Sequence, residues 1–286
     1  MDADLRRVLE RSLGAKVVRA APVRGGDVAV AFAVELADGR RVFAKTHPSA
    51  PHEFFTTEAA GLAWLGAADA VPVPAVLAVS DDPPNHLVLE WVDEGRPTRT
   101  TKSELGAALA ALHRAGAPTF GREDRRTTGS RGLPNEPCTT WAEFYAANRL
   151  LPLARLARDA GALPAAAIRA MEALAGRLDH FGGGGEPPAR LHGDLWAGNR
   201  LVDTAGRSWL IDPAAHGGHR EFDLAMMRLF GGFGEECFAA YAEVFPLADG
   251  WADRVQLHQI APLVVHAIKF GGGYVGAATS AIAQYG

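Results

Sequence analysis

The sequence predicts an α+β protein in two parts, an antiparallel β-sheet in the first third and a mainly helical remainder. Three observations carry this. Val/Ala/Phe-rich runs fill residues 17–45, apolar residues at helical spacing dominate beyond Val92, and glycine and proline pairs punctuate the changes of texture. A length of 286 residues allows one large domain or two lobes. With 48% hydrophobic and 22% charged residues, the composition is that of an ordinary globular protein.

Taken in order, Leu5, Val8, Leu9 and Leu13 follow Asp4 at helical spacing, and Gly14 ends the run. Asp38-Gly39 between Val34-Glu35-Leu36 and Val42-Phe43-Ala44 is a hairpin signal, because a tight primed turn needs positive φ at both central positions. Arg24-Gly25-Gly26-Asp27 sits where an earlier strand turns back, so three antiparallel strands are expected up to Lys45. A helix follows over 53–65, broken by Val71-Pro72-Val73-Pro74. Two more strands, 76–79 and 87–92, flank a turn at Asp81 to Asn85. Helices are then expected over 103–115, from Thr140-Trp141-Ala142-Glu143 (a capping-box pattern) and over 164–181. A short hairpin spans 201–211. Three or four helices, interrupted by Gly231-Gly232 and Gly271-Gly272-Gly273, complete the chain.

The formal net charge of −4 and a pI near 6.2 give no strongly basic face, so no nucleic-acid partner is expected. Cys138 and Cys237 are far apart and belong to no metal-spaced cluster, which fits a reducing cytoplasm. No apolar run reaches bilayer length, and Met1 to Arg7 lead into no long apolar segment, so no membrane partner is expected.

The chemistry concentrates in Leu191-His192-Gly193-Asp194-Leu195-Trp196-Ala197-Gly198-Asn199, followed by Leu210-Ile211-Asp212-Pro213. An H-x-D-L with Asn five residues after the Asp is the spacing of kinase catalytic loops, in which the Asp receives a hydroxyl proton and the Asn holds a metal ion. Asp194 is therefore the candidate base, and Asn199 and Asp212 are hard oxygen ligands suited to Mg²⁺. Lys45 ends a strand as a phosphate-binding lysine does, although a strand-terminal lysine is also a common solvated residue. Glu58, on the next helix, is placed to orient that lysine or to be a solvated charge. Gly25 and Gly26 would let backbone amides approach phosphates, or simply form a turn. Glu90-Trp91-Val92 would form a strap whose backbone meets adenine, or an ordinary buried strand end. His192 reads as a brace for its loop rather than a proton carrier.

This assembly resembles the protein-kinase-like superfamily of aminoglycoside and choline phosphotransferases, and within it the fructosamine kinases, or ketosamine 3-kinases. The resemblance rests on His192 to Asn199, on Ile211-Asp212-Pro213-Ala214, on Gly218-His219-Arg220-Glu221-Phe222-Asp223-Leu224-Ala225-Met226 and on Leu229-Phe230-Gly231-Gly232-Phe233. It implies a bilobal protein-kinase-like fold and ATP-dependent phosphorylation of the sugar 3-hydroxyl of ketosamines, carried by metabolites or glycated proteins, with the product releasing its amine. Under it Asp194 is the base, and Asn199 and Asp212 hold the metal. His216, where an aromatic is expected, and Phe222, in place of a small residue, depart from the pattern.

Trp196 could stack on the apolar face of a sugar, and Arg220, beside His219, could hold a hydroxyl or carboxylate; the pair could equally brace the catalytic loop. Asp223 reads as a helix cap or loop brace. Residues 1–92 are expected to form a nucleotide-covering lobe and 93–286 a catalytic and substrate-binding lobe, with ATP and Mg²⁺ between them. The rival readings are a phosphotransferase for an aminoglycoside, choline-like or other small alcohol, and a catalytically silent kinase fold that binds nucleotide or partners.

Overall fold

The computed structural model describes residues 1–23, 29–125, 127–128, 132–181 and 185–286. Gly25 and Gly26, the expected phosphate-approaching glycines, lie outside these residues. The first helix, α1 (Ala3–Leu13), is capped by Asp2, whose carboxylate accepts from the Leu5 amide at 2.7 Å, and closed by Gly14 at φ 68°. Strands β1 (Val17–Val23), β2 (Val30–Leu36) and β3 (Arg41–Thr46) precede helix α2 (Phe54–Gly66), and β4 (Val76–Ser80) and β5 (His86–Glu90) follow it. The sheet order is β1-β2-β3-β5-β4, antiparallel throughout. The last strand stops at Glu90, short of the expected Val92.

The Asp38-Gly39 hairpin forms by a different turn from the one expected. Only Gly39 has positive φ, 86°, and Leu36 and Arg40 bond on either side of a three-residue loop. That is a turn closed by one left-handed glycine rather than a two-residue primed turn.

Strand alternation decides what faces the cleft. Phe32, Val34, Val42, Ala44 and Val88 point toward α1 and pack with Leu5, Leu9 and Leu13. Phe43, Leu87 and Leu89 face the other way, toward Phe55, Ala59 and Leu62 of α2. Lys45, two residues beyond Phe43, shares the α2 face, with small Ala31 directly across from it on β2.

The helical part begins with α3 (Thr101–Arg114), followed by a two-residue ladder of β6 (Thr127–Thr128) and β7 (Leu133–Pro134). Helix α4 (Trp141–Tyr145) runs through a π-turn into α5 (Leu151–Asp159). Its capping box is half formed: Thr140 Oγ1 accepts from the Glu143 amide at 3.2 Å, but Glu143 turns back to Thr139 instead of Thr140. The expected helix over 164–181 divides at Gly176 into α6 (Ala165–Ala175) and a 3₁₀ turn, Leu178–Phe181.

Two strand pairs then position the motif residues. β8 (Ala189–Leu191) pairs with β11 (His216–Gly218), a pairing the sequence did not announce, and β9 (Arg200–Val202) pairs with β10 (Ser208–Leu210). The chain ends in four helices, α7 (Glu221–Phe230), α8 (Glu235–Val244), α9 (Trp251–Phe270) and α10 (Gly273–Tyr285), broken at the expected glycines. Leu65 of α2, Leu195, Leu210 and Leu224 share one buried cluster. Each such leucine stabilises by roughly 1.5–3 kcal/mol, so α2 and the motif loop are held in register by common packing. Among the described residues, no helix is long and apolar enough to cross a membrane.

Candidate active site

A cavity of ≈ 480 Å³ brings together Lys45, Glu58, Asp194, Trp196, Asn199 and Asp212, residues separated by as many as 167 positions in the chain. Ala29, Ala31 and Phe43 cover it from the sheet, and Phe230, His266, Lys269, Phe270 and Tyr274 line it from α7, α9 and α10. Glu90 and Val92 are not among its described lining residues. The Glu90 amide instead bonds the Ala75 carbonyl at 2.9 Å.

At the sheet side, Lys45 Nζ lies 2.6 Å from Glu58 Oε1 and 2.5 Å from Asp212 Oδ1. Burial alone would lower the pKa of the ammonium, but the two carboxylates outweigh it and raise the net value. Burial pushes Glu58 up to about 7 despite Lys45, and the nearby Asp212 charge adds to that rise. Asp212 moves the opposite way, since Lys45 more than offsets its desolvation. The trio ties β3 and α2 to the segment after β10, across the cleft.

The motif loop is fixed from behind. Asp223, fully buried in the first turn of α7, accepts from the His192 and Gly193 amides at 2.8 and 2.9 Å, and from His113 Nε2 at 3.2 Å. Burial would raise its pKa, but these donors, His113 foremost, hold it below the ordinary carboxylate range. His113 in turn meets the Tyr241 hydroxyl at 2.8 Å. Asp223 is thus the loop brace that the sequence allowed. Neutral His192, its pKa lowered chiefly by burial, accepts from the Asp194 amide through Nδ1 and donates from Nε2 to the Ile211 carbonyl at 2.9 Å.

Asp194 borders the cavity, and Asn199 Nδ2 donates to its Oδ2 at 3.0 Å and to its carbonyl at 2.8 Å. Burial pushes the Asp194 carboxyl up to about 6, against the Asn199 hydrogen bond; the charges of Asp212 and Asp223 raise it further, and Lys269 lowers it. Asn199 spends its nitrogen on these bonds, which leaves the amide oxygen for a ligand. The Asp212 side chain keeps 43% exposure and carries Lys45 on one oxygen only. This donor set, one carboxylate and one amide oxygen beside the cavity, fits a hard divalent cation that retains waters and substrate oxygens in its shell.

Two glycines shape the loop. Gly193, at φ 81°, passes so close to the Ala214 carbonyl that a Cβ would collide with it. A Cβ on Gly198 would strike the Trp196 indole, which lies over the turn and remains 42% exposed against Phe230.

His219 and Arg220 are not among the described lining residues. Both are buried. His219 packs against Trp141 and His258, at ring separations of 5.5 and 5.1 Å. Arg220 forks onto Glu186 with two 2.7 Å bonds and reaches the Phe245 and Pro246 carbonyls. These contacts lie away from the cavity, with the segment before β8 and with α4, α8 and α9. Among the described residues, His219, Glu221 and His258 bring potential metal-ligand atoms within 4.8 Å of one another, but Arg254 occupies both Glu221 oxygens, at 2.9 and 2.6 Å. The departing residue His216 also sits behind the loop, its Nδ1 donating to the Ala214 carbonyl at 2.8 Å, its ring between Phe144 and Phe222.

The α9–α10 wall was not foreseen. Its signal was present as His266, three residues before Lys269 and four before Phe270, spacings that place each of them beside it on a helix.

A family model for fructosamine kinases matches residues 1–285. A probable ketoamine kinase of Enterococcus faecium is 34% identical over 276 residues, covering 95% of this chain and 96% of that protein. The chloroplastic protein-ribulosamine 3-kinase of Arabidopsis thaliana is 31% identical over 282 residues, covering 97% and 86%. A crystal structure from Thermobifida fusca, assigned as a fructosamine-3-kinase, superposes with a TM-score of 0.91 at 41% identity, covering 100% of this chain and 99% of that one. An aminoglycoside phosphotransferase in ternary complex with AMP-PNP and hygromycin B shares the fold alone, at TM-score 0.65 and 15% identity over 99% and 97% of the two chains.

Proposed function

The chain belongs to the fructosamine kinase family and is an ATP-dependent kinase that phosphorylates a sugar hydroxyl of ketosamines; from that premise we propose that Asp194 is its general base and that the 3-hydroxyl is its target. The observation that carries this reading is the meeting, in one cavity, of the Lys45–Glu58–Asp212 trio with the Asp194–Asn199 pair.

Phosphoryl transfer asks the protein mainly for positioning and charge compensation. Lys45, held by Glu58, meets the nucleotide phosphates under the sheet, with residues 1–92 as the covering lobe. The strap from Glu90 to Val92, which leaves the same sheet through β5, is read as belonging to the nucleotide side as well. Asn199 and Asp212 would hold Mg²⁺, which when bound supplies neutralising charge to the phosphate oxygens. Asp194, ionised above about pH 6, takes the hydroxyl proton as the sugar oxygen bonds to the γ-phosphorus and the bond to the ADP oxygen breaks. General-base assistance of this kind contributes typically ~10² to 10⁴-fold. Trp196 offers its exposed indole face to the sugar. Arg220, which is engaged with Glu186 and the Phe245 and Pro246 carbonyls, is given no contact with the acceptor in this reading.

The two free cysteines fit a cytoplasmic enzyme that acts on metabolites or glycated proteins. ADP release with Mg²⁺, measured on fructosamines, ribulosamines, aminoglycosides and choline, tests the assignment. Turnover on ketosamines is expected; turnover confined to aminoglycosides or choline would overturn it.

A further inference from the structure

One wall of the cavity is built from aromatic rings that phosphoryl transfer does not require. Their contacts start on the motif loop, where the Trp196 indole meets Phe230 edge-on at 6.3 Å. Phe230 packs on His266 at 4.9 Å. His266 packs in turn on Tyr274 and Phe270, at 5.0 and 5.6 Å, and those two rings lie 6.0 Å apart. All of these rings line the cavity that holds Asp194. His266 is oriented by its Nδ1, which donates to the Pro262 carbonyl at 2.8 Å one turn earlier in α9, and Tyr274 packs against the largest buried cluster of the helical part. The wall is therefore largely formed before an acceptor arrives.

Phe270 differs from its neighbours. It is the last residue of α9, and its side chain remains 53% exposed although Lys269 Nζ lies 4.9 Å from the ring. A single exposed phenylalanine is ordinary on any protein surface. A continuous run of touching rings inside a catalytic cavity is not, and apolar surface of that kind marks a place where a ligand is received. In the ketosamine reading the sugar lies at the Asp194 and Trp196 end of the run. The far end, at Phe270 and Tyr274, is then left for what the sugar carries, the substituent on its amine.

Resting on the ketosamine reading, we propose that Phe270, supported by His266 and Tyr274, is a specificity residue that selects ketosamines whose amine bears a large apolar side chain. Such a side chain would cover the exposed ring face and release water from both surfaces. Removing about 55 Å² of apolar area from water is worth about tenfold in kcat/KM, close to 1.4 kcal/mol. A small or polar substituent gains nothing there.

The test uses the full chain with ATP and Mg²⁺, and the ribulosyl and fructosyl derivatives of glycinamide, glutaminamide and phenylalaninamide. These amines carry no carboxylate, so the comparison isolates the side chain. On whichever sugar is turned over, phenylalaninamide should exceed glycinamide about tenfold in kcat/KM, and glutaminamide should stay within about twofold of glycinamide. Phe270→Ala should bring the first ratio to about two or less, through KM of the phenylalaninamide compound, and Phe270→Tyr should retain it. The preference should persist at high salt, because it does not depend on charge. A ratio near one in the unaltered enzyme, an equal gain with glutaminamide, a ratio that survives Phe270→Ala, or its loss in salt overturns the proposal while leaving the ketosamine reading intact. Absence of turnover on all of these acceptors overturns the ketosamine reading, and this inference with it.

Discussion

Replacing Asp194 by Asn should abolish transfer and stabilise the fold. Burial moves this carboxyl from an ordinary 3.8 to about 6, so the folded protein holds a proton more tightly than the unfolded chain does. Above about pH 6 the folded state must carry the charge in a site that disfavours it, and stability is lost relative to a neutral side chain. Below about pH 4 both states are protonated and the deficit disappears. At roughly 1.36 kcal/mol per pH unit the full displacement is worth about 3 kcal/mol. Because the group borders an open cavity, solvent screening reduces this to about 1–2 kcal/mol. The amide still accepts from Asn199, so no hydrogen bond need be lost. For a chain of this size the gain corresponds to about 2–6 °C in Tm. Thermal unfolding of both proteins from pH 4 to 8 should show a difference that is largest at pH 7–8 and closes toward pH 4. ATP binding should persist while turnover falls at least ~10²-fold. Near-normal turnover would mean that Asp194 is not the base, and a pH-independent or reversed Tm difference would refute the burial argument.

Lys45→Met should leave Glu58 and Asp212 facing each other without their cation, costing about 3 kcal/mol in chemical denaturation and raising KM for ATP; adding Glu58→Gln should recover part of the stability but not the activity. Gly198→Ala should displace the Trp196 indole, so that kcat/KM for ketosamines falls about tenfold while ATP affinity, read by calorimetry, holds. Asp223→Asn should weaken the bonds to His192 and Gly193, lowering stability by about 1.5–3 kcal/mol and reducing kcat more than KM for ATP. A pH profile of kcat/KM should lose activity as pH falls through about 6, the value to which Asp194 is raised.

The parts of the site that can be read from the sequence are those whose geometry is local. Asp194 and Asn199 are five residues apart on one loop, and Lys45 follows Phe43 at the strand period, so spacing alone sets their directions. The Glu58 partnership needed only that α2 pack against the same face of the sheet. Residues that meet through tertiary packing gave weaker signals. Nothing local distinguishes Arg220, which turns away onto Glu186, from Lys269, which turns into the cavity. The β8–β11 pairing joins three-residue strands with 24 intervening residues between Leu191 and His216, too short for a periodicity to register. The helix over 164–181 was read as one because its apolar spacing continues past Gly176, where the backbone tightens into a 3₁₀ turn.

The loop that bears Asp194 is anchored by Asp223, His113 and Tyr241, whereas most of the helical acceptor wall comes from α9 and α10. Under the proposed roles, proton transfer and much of the acceptor contact would stand on separate foundations, with Trp196 shared between them. Substitutions at Phe270 or Tyr274 would alter the helical wall of the cavity while leaving the Asp223 bonds to His192 and Gly193 in place. A lineage built on this scaffold could exchange substrates by drift along one helical hairpin, with phosphoryl transfer kept intact at every step. The same division makes that hairpin the place for an engineer to begin.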